Sequence, residues 1–490
     1  MSTSIDAPDR PPASPTSTTP SLGTGPARTG SRRSRTWLAL LAASIPMFLA
    51  TLDNLVMTTA LPVLHTALDA SLEQLQWMIN AYTLAFASLM ITAATLGDRW
   101  GRRRVFVGGI TVFALASVAS ALATSPAALI AARAVQGAGA AAIMPLSLTL
   151  LAAAVPVGRR AMAIGIWGAV AGLGVAVGPL VGGAVVEGIS WQAIFWVNVP
   201  VAVVAVVLVA LGLPEGFGRR QRLDLRGLVL ASAGLLALVW GIVRGNDDGW
   251  TSPSVLGGIG LGVALLAVFL WNESRSAHPL VPLRLFRARS FTVTNVASAL
   301  FYMGVFGAVF LLAQYFQAGL GYSPLAAGLR TLPWTAAPMV VAPIAGMLAP
   351  RLGVRPLLVG GLALQAAGLL WLSFGVSSET TYGELVPGLL LAGIGMGLTY
   401  APSATAVLAD MAPDDHGTAS SLNATMREVG GALGVAVLVA VFTAAGGTLT
   451  PEGYVDGMRP AGIVGAAVVA VGALVALLMP RRTGKETAHP

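Results

Sequence analysis

Fourteen apolar stretches, each long enough to cross a bilayer, dominate this 490-residue chain. A helix needs about 20 apolar residues to span the hydrocarbon, and in lipid only helices or closed barrels satisfy every backbone amide. The stretches begin near Trp37, Leu75, Val105, Ala127, Ala161, Ala193, Leu225, Val255, Phe291, Leu325, Pro356, Leu385, Ser420 and Pro460. Hydrophobic residues make up 55% of the chain and charged residues only 10%, against roughly 25% charged in a soluble domain. The chain therefore reads as an all-α, multi-pass integral membrane protein.

An even number of spans puts both termini on one side. With the amino terminus inside, 24 of the 29 Lys and Arg residues fall on the cytoplasmic side, as cytoplasmic loops retain positive charge. Only Arg244 and Arg459 fall outside, while Arg133, Arg330 and Arg427 lie within or at the edge of spans. The net charge of +8 thus speaks to orientation in the membrane rather than to nucleic acid. Residues 1–36, rich in Pro, Ser and Thr, read as a disordered cytoplasmic tail, and 481–490 as a second one. The absence of cysteine excludes disulfides, thiolate metal sites and thiol nucleophiles. His65, His278, His416 and His489 are too scattered for a metal site. The single lysine, Lys485, stands in TGKETA without the glycine-rich loop that cradles ATP, so no built-in ATPase and no cofactor are expected.

Internal repetition sets the plan. TLGDRWGRRRV, from Thr95, returns as MLAPRLGVRPL, from Met347, and LGVAV occurs at 173–177 and 433–437. Chance could produce the short echo in so Ala/Gly/Val-rich a chain, but both offsets map span n onto span n+8. A 6+2+6 arrangement follows: a six-helix half over 37–213, two inserted helices over 214–273, and a second half over 274–480.

Four segments carry chemistry. In FLATLDNLVMTTALP, Asp53 sits among apolar neighbours, either as a proton site or as a carboxylate merely hydrogen-bonded to Asn54 or a neighbouring helix. In RAVQGAGAA, Arg133 either snorkels or has an internal partner, since an arginine at a helix centre costs about 2.5–3.5 kcal/mol on insertion scales. Gln136 lies on the same face as Gly137 and Ala140. GDRWGRRRVF places Gly97, Asp98, Arg99, Gly101, Arg102 and Arg103 in the turn between spans two and three, where the acid can pair with an arginine or a helix terminus as a breakable latch. GLGVAVGPLVGG sets Gly174, Gly178, Pro179, Gly182 and Gly183 inside the fifth span, suited to close helix approach or to a kink.

These segments, with WQAIFWVNVP at 191–200, resemble the major facilitator superfamily, specifically its fourteen-span drug:proton antiporters, over roughly residues 37–480. The loop motif departs from the family pattern at Ala94, where a glycine is usual. Glu428 stands in NATMREVGG where a neutral amide is expected. The resemblance implies alternating access, with Asp53 and Arg133 in proton coupling and hydrophobic drugs or antibiotics, cationic ones included, leaving as protons enter. The chain is expected to act as a monomer. Candidates for the substrate cavity are Trp77, Tyr82, Gln136, Phe301, Tyr302, Tyr315, Asn423, Arg427 and Glu428, although most aromatics in such a bundle face lipid or fill gaps. Export or facilitated diffusion of another metabolite is the alternative. A membrane-embedded lipid enzyme would need a convergent His or carboxylate set that the sequence does not offer, and duplicated halves suit a rocking transporter better than a receptor or channel.

Overall fold

The computed structural model describes residues 29–218, 223–377, 379–412 and 415–480. Among them are fourteen helices long and apolar enough to cross a membrane, and no strand. Numbered in order, spans 1 to 7 are Thr36–Ala67, Leu72–Trp100, Arg102–Ala121, Pro126–Ala154, Met162–Gly188, Ala193–Gly212 and Leu225–Asp248. Spans 8 to 14 are Pro253–Arg275, Arg289–Gly319, Pro324–Leu352, Val354–Gly375, Tyr382–Leu408, His416–Ala444 and Pro451–Ala476. The first helix already runs from Thr29, so the last stretch of the expected tail is helical. The remainder of both tails lies outside the described residues.

Helix starts at one end of the molecule share a device. Ser125-Pro126, Ser252-Pro253 and Ser323-Pro324 open spans 4, 8 and 10, each serine accepting a backbone N–H from the first turn. Proline follows at the position where a missing N–H costs nothing. Span 14 opens with Thr450-Pro451, nine residues before the expected Pro460. Glu452, Asp456 and Arg459 lower the hydropathy of its first two turns, yet Tyr454, Gly457, Met458 and Ala461 are buried at helical spacing. Arg459 therefore lies within the span, its guanidinium 4.9 Å from the Phe374 ring, rather than outside it.

The two sequence echoes correspond to structural ones. Gly101 and Gly353, paired by the first echo, both take positive φ, 109° and 85°, at the turns leaving spans 2 and 10. Gly174 and Gly434, paired by the second, each abut the first helix of their own half, at Thr51 of span 1 and Met303 of span 9. Span 2 packs on span 13 and span 5 on span 10. Exchanging the halves, span 2 for span 10 and span 13 for span 5, turns one pair into the other, as a twofold between the halves requires. Inserted spans 7 and 8 pack on each other, and span 7 leans on spans 2 and 13. Span 8 is the least enclosed, with 17% of its apolar stretch buried against 78% for span 1.

The seam between spans 5 and 10 is closed at one end only. Gly183 abuts the Pro324 carbonyl, Gly328 abuts the Pro179 carbonyl, Leu325 N donates to Glu187 Oε2 at 3.0 Å and Thr335 Oγ1 to Ala176 O at 3.1 Å. Toward the arginine-rich end, Gly165, Gly168 and Gly172 have open space beside them, and Met339, Val340 and Met347 are exposed. Span 10 itself is two helices, Pro324–Thr335 and Ala337–Leu352, interrupted at Ala336 between Pro333 and Pro338.

Candidate functional site

Asp53 is 4% exposed and Arg133 fully buried, so neither reaches water or the interface and snorkelling is excluded. Arg133 Nη1 donates to Asp53 Oδ2 at 2.5 Å and to Gln136 Oε1 at 2.7 Å. Asp53 Oδ1 accepts from Gln136 Nε2 at 2.9 Å and from Asn198 Nδ2 at 2.7 Å. The second hydrogens of both amides go to Ser117 Oγ, at 2.9 and 3.2 Å. Each amide N–H and both Nη1 hydrogens are thus used once, in a knot joining spans 1, 3, 4 and 6, while Arg133 Nη2 has no hydrogen-bond partner. Arg133 Nε donates to the Met78 carbonyl at 3.2 Å, and the guanidinium lies 4.3 Å from the Tyr82 ring centroid. Pairing makes these charges tolerable, since removal of one partner from a buried ion pair costs about 3–5 kcal/mol.

The local sequence explains how the knot assembles. Arg133 and Gln136 are three residues apart on one face of span 4. Gly137 presses that helix onto the Tyr82 backbone, and Gly139 meets Phe113 N and Gly109 O of span 3, where a Cβ would stand 2.6 and 2.8 Å away. On span 5, Gly174, Gly178 and Gly182 sit at four-residue intervals against Thr51, Leu55 and Val56, which flank Asp53 on span 1. Gly183 and Pro179 face span 10 instead, and the helix is continuous through Pro179.

A cavity of about 100 Å³ lies between the halves, lined from spans 1, 2, 4, 5, 9, 10, 12 and 13. Of the candidate residues, Tyr82, Tyr302, Arg427 and Glu428 line it. Its aromatic wall also includes Phe86, Phe306, Trp334 and Tyr400, which sequence reasoning missed. Asp53 and Arg133 do not line it; Tyr82 stands between, facing the cavity and carrying the guanidinium on its ring.

The other candidates sit elsewhere, for packing reasons. Gln136 is consumed by the knot. Trp77 packs with Val239 and Ala432 against span 7. Phe301 turns into the core of the second half, 5.9 Å from the Tyr400 ring centroid. Tyr315 donates to the Ser377 carbonyl at 2.7 Å, and Asn423 donates to Asn295 Oδ1 at 3.2 Å.

At the arginine-rich end, Asp98 pairs with Arg102 at 2.7 Å, one turn on. Arg103 N donates to Glu215 Oε1 at 2.9 Å and its Nη1 to Leu213 O at 3.2 Å, while Gly218 N donates to Asp98 O at 3.0 Å. The motif is therefore fastened to residues 213–218, the segment leaving span 6 of the same half. Gly97 abuts Leu146, Gly101 supplies the turn, and Arg99 is exposed.

Comparison with known proteins agrees with this architecture. A family model described as Major Facilitator Superfamily matches residues 43–435 and 294–490. Multidrug resistance protein Stp of Mycobacterium tuberculosis (strain CDC 1551 / Oshkosh) is 36% identical over 409 residues, covering 83% of this chain and 76% of that one. The Tetracenomycin C resistance and export protein of Streptomyces glaucescens is 34% identical, covering 87% and 80%, and Cephamycin export protein CmcT of Amycolatopsis lactamdurans 39% identical, covering 85% and 87%. A crystal structure of a POT family transporter in complex with a thioalcohol-conjugated peptide shares the fold at TM-score 0.68 and 14% identity, covering 89% of this chain and 95% of that chain. With two six-helix halves about a central cavity and two helices inserted between them, this chain belongs to the Major Facilitator Superfamily and is a transporter rather than an enzyme.

Proposed function

We propose that this protein exports drugs or antibiotics across the bacterial cytoplasmic membrane as protons enter, by alternating access and without a nucleotide. The observation that carries the reading is the Asp53–Arg133 pair buried behind Tyr82 at the cavity wall. A proton on Asp53 removes the anion that holds Arg133, loosening spans 1, 3, 4 and 6 together. A substrate in the cavity bears on the same assembly through Tyr82, so proton and drug bias one equilibrium. Relatives named as resistance and export proteins support the direction of transport. Charge distribution supports cytoplasmic termini, which makes the open end of the span 5–10 seam the cytoplasmic one. The unit of function is the monomer, since each chain encloses its own cavity.

The test is drug-dependent proton release from acid-loaded inside-out vesicles holding the purified protein. Wild type is expected to release protons and accumulate drug, and Asp53→Asn to bind drug without accumulating it. Undiminished pumping by Asp53→Asn overturns the coupling role. Drug movement indifferent to the gradient, in wild type, points to a facilitator of another kind.

A further inference from the structure

Resting on the reading that the central cavity holds the exported molecule, we infer that Arg427 and Glu428 make it selective for amphoteric aromatic compounds, those carrying a hydrogen-bond donor and an acceptor, over permanently charged lipophilic cations. Both residues line the cavity from span 13. Consecutive helical residues point about 100° apart, so the two heads do not face each other as a helical ion pair would. Glu428 is 8% exposed, and its Oε2 has no hydrogen-bond partner; neither has Arg427 Nε. The first needs a donor and the second an acceptor, and buried polar groups left open cost free energy until a ligand fills them.

Both threonine hydroxyls on the wall are already used, while Trp334 Nε1 in the same lining is a further donor without a partner. Thr51 Oγ1 donates to the Met47 and Phe48 carbonyls at 3.0 Å, and Thr335 Oγ1 to Ala176 O at 3.1 Å. Arg427 and Glu428 carry opposite formal charges, as do Asp53 and Arg133 behind Tyr82, so the surroundings of the cavity offer no net formal charge to favour a cation. A quaternary cation without N–H groups would also leave Glu428 unsatisfied while standing near Arg427. The rest of the wall suits flat rings: Tyr302 and Phe306 stack at 5.3 Å and 20°, with Phe86 and Trp334 also in the lining.

The probes are norfloxacin, an aromatic carboxylate with a secondary amine, and tetraphenylphosphonium, a cation with no donor. Transport into acid-loaded vesicles should show a KM for norfloxacin at least about tenfold below that for tetraphenylphosphonium. Glu428→Gln should raise the norfloxacin KM about tenfold with kcat within about threefold, the loss expected for one charge-assisted bond. Arg427→Gln should lower the tetraphenylphosphonium KM by leaving an uncompensated acid. If Arg427→Gln does not fold, equilibrium dialysis of norfloxacin against wild type and Glu428→Gln carries the same comparison. Export of tetraphenylphosphonium at equal or lower KM, or an unchanged norfloxacin KM in Glu428→Gln, overturns the inference and leaves export standing. Movement of neither probe, with no drug-dependent proton release by any compound, overturns both.

Discussion

Each half of the molecule sets one arginine beside one acid within its spans, and the two halves treat them differently. Asp53 and Arg133 share a 2.5 Å bond and have three neutral side chains closed around them. Arg427 and Glu428 line open space, and each keeps an atom without a partner. The contrast teaches a division of labour that residue type alone does not convey. A carboxylate with both oxygens bonded, as in Asp53, has nothing left to offer a ligand and instead registers the relative positions of the helices that hold it, while Arg133 keeps one unpartnered atom, Nη2, out of the cavity lining. A charge with an open valence is costly until something arrives.

Arg133→Met is the most severe way to test this contrast. It leaves the Asp53 carboxylate buried without its cation, a loss of about 3–5 kcal/mol. A fall of more than about 5 °C in the thermal unfolding midpoint of the detergent-solubilised protein is expected, with export abolished. Adding Asp53→Asn to that variant should restore most of the midpoint but none of the export. A double variant as unstable as the single one would mean that packing, not charge, dominates. Asn198→Ala ranks next: it removes donors to Asp53 and Ser117, worth about 1–2 kcal/mol, and should slow export about tenfold while drug binding, read by equilibrium dialysis, stays intact.

Glu428→Gln should shift the midpoint by less than about 2 °C, because no neighbour loses a bond to Oε2; a larger fall would erase the distinction between the halves. Tyr82→Phe should do still less. Its hydroxyl reaches the Ala50 carbonyl only at 3.4 Å, and the ring beneath Arg133 remains. Smallest of all is a pair outside the bilayer, Arg284 with Asp415 at 2.6 Å, where the guanidinium holds the carboxyl below its ordinary value. Its contribution is present above the ordinary aspartate pKa of about 3.9 and is lost as pH falls through the depressed one. The midpoint difference between wild type and Arg284→Gln, slight at pH 7 for so exposed a pair, should therefore narrow in acid.

Span number, the doubled plan and the Asp53 and Arg133 positions were legible in the sequence because each depends on residue type against an apolar background. The turn glycine Gly101 was legible for the same reason, and Gly353 follows from it through the repeat. Azimuth was not. A helix apolar all round has lost the amphipathic stripe that tells core from surface, so Phe301 and Tyr302, adjacent in sequence, could not be sorted into core and cavity. Asn198 carried a signal, a lone amide in the run VNVPVAVVAVV, whereas Ser117 carried none, since a single serine in an apolar helix commonly bonds its own backbone. Here it does so as well, donating to Phe113 O at 2.9 Å while accepting from the knot. The start of span 14 was missed because three charged residues outweighed a regular buried face.

The interruption of span 10 at Ala336 divides it into two rods, and the close glycine approaches and hydrogen bonds to span 5 described above all belong to the first. The fulcrum sits beside Trp334 and Thr335 in the chamber wall. In the alternating access proposed above, that point is where the far rod would turn while the near one stays fast, tying the width of the open end to the fit of whatever occupies the chamber.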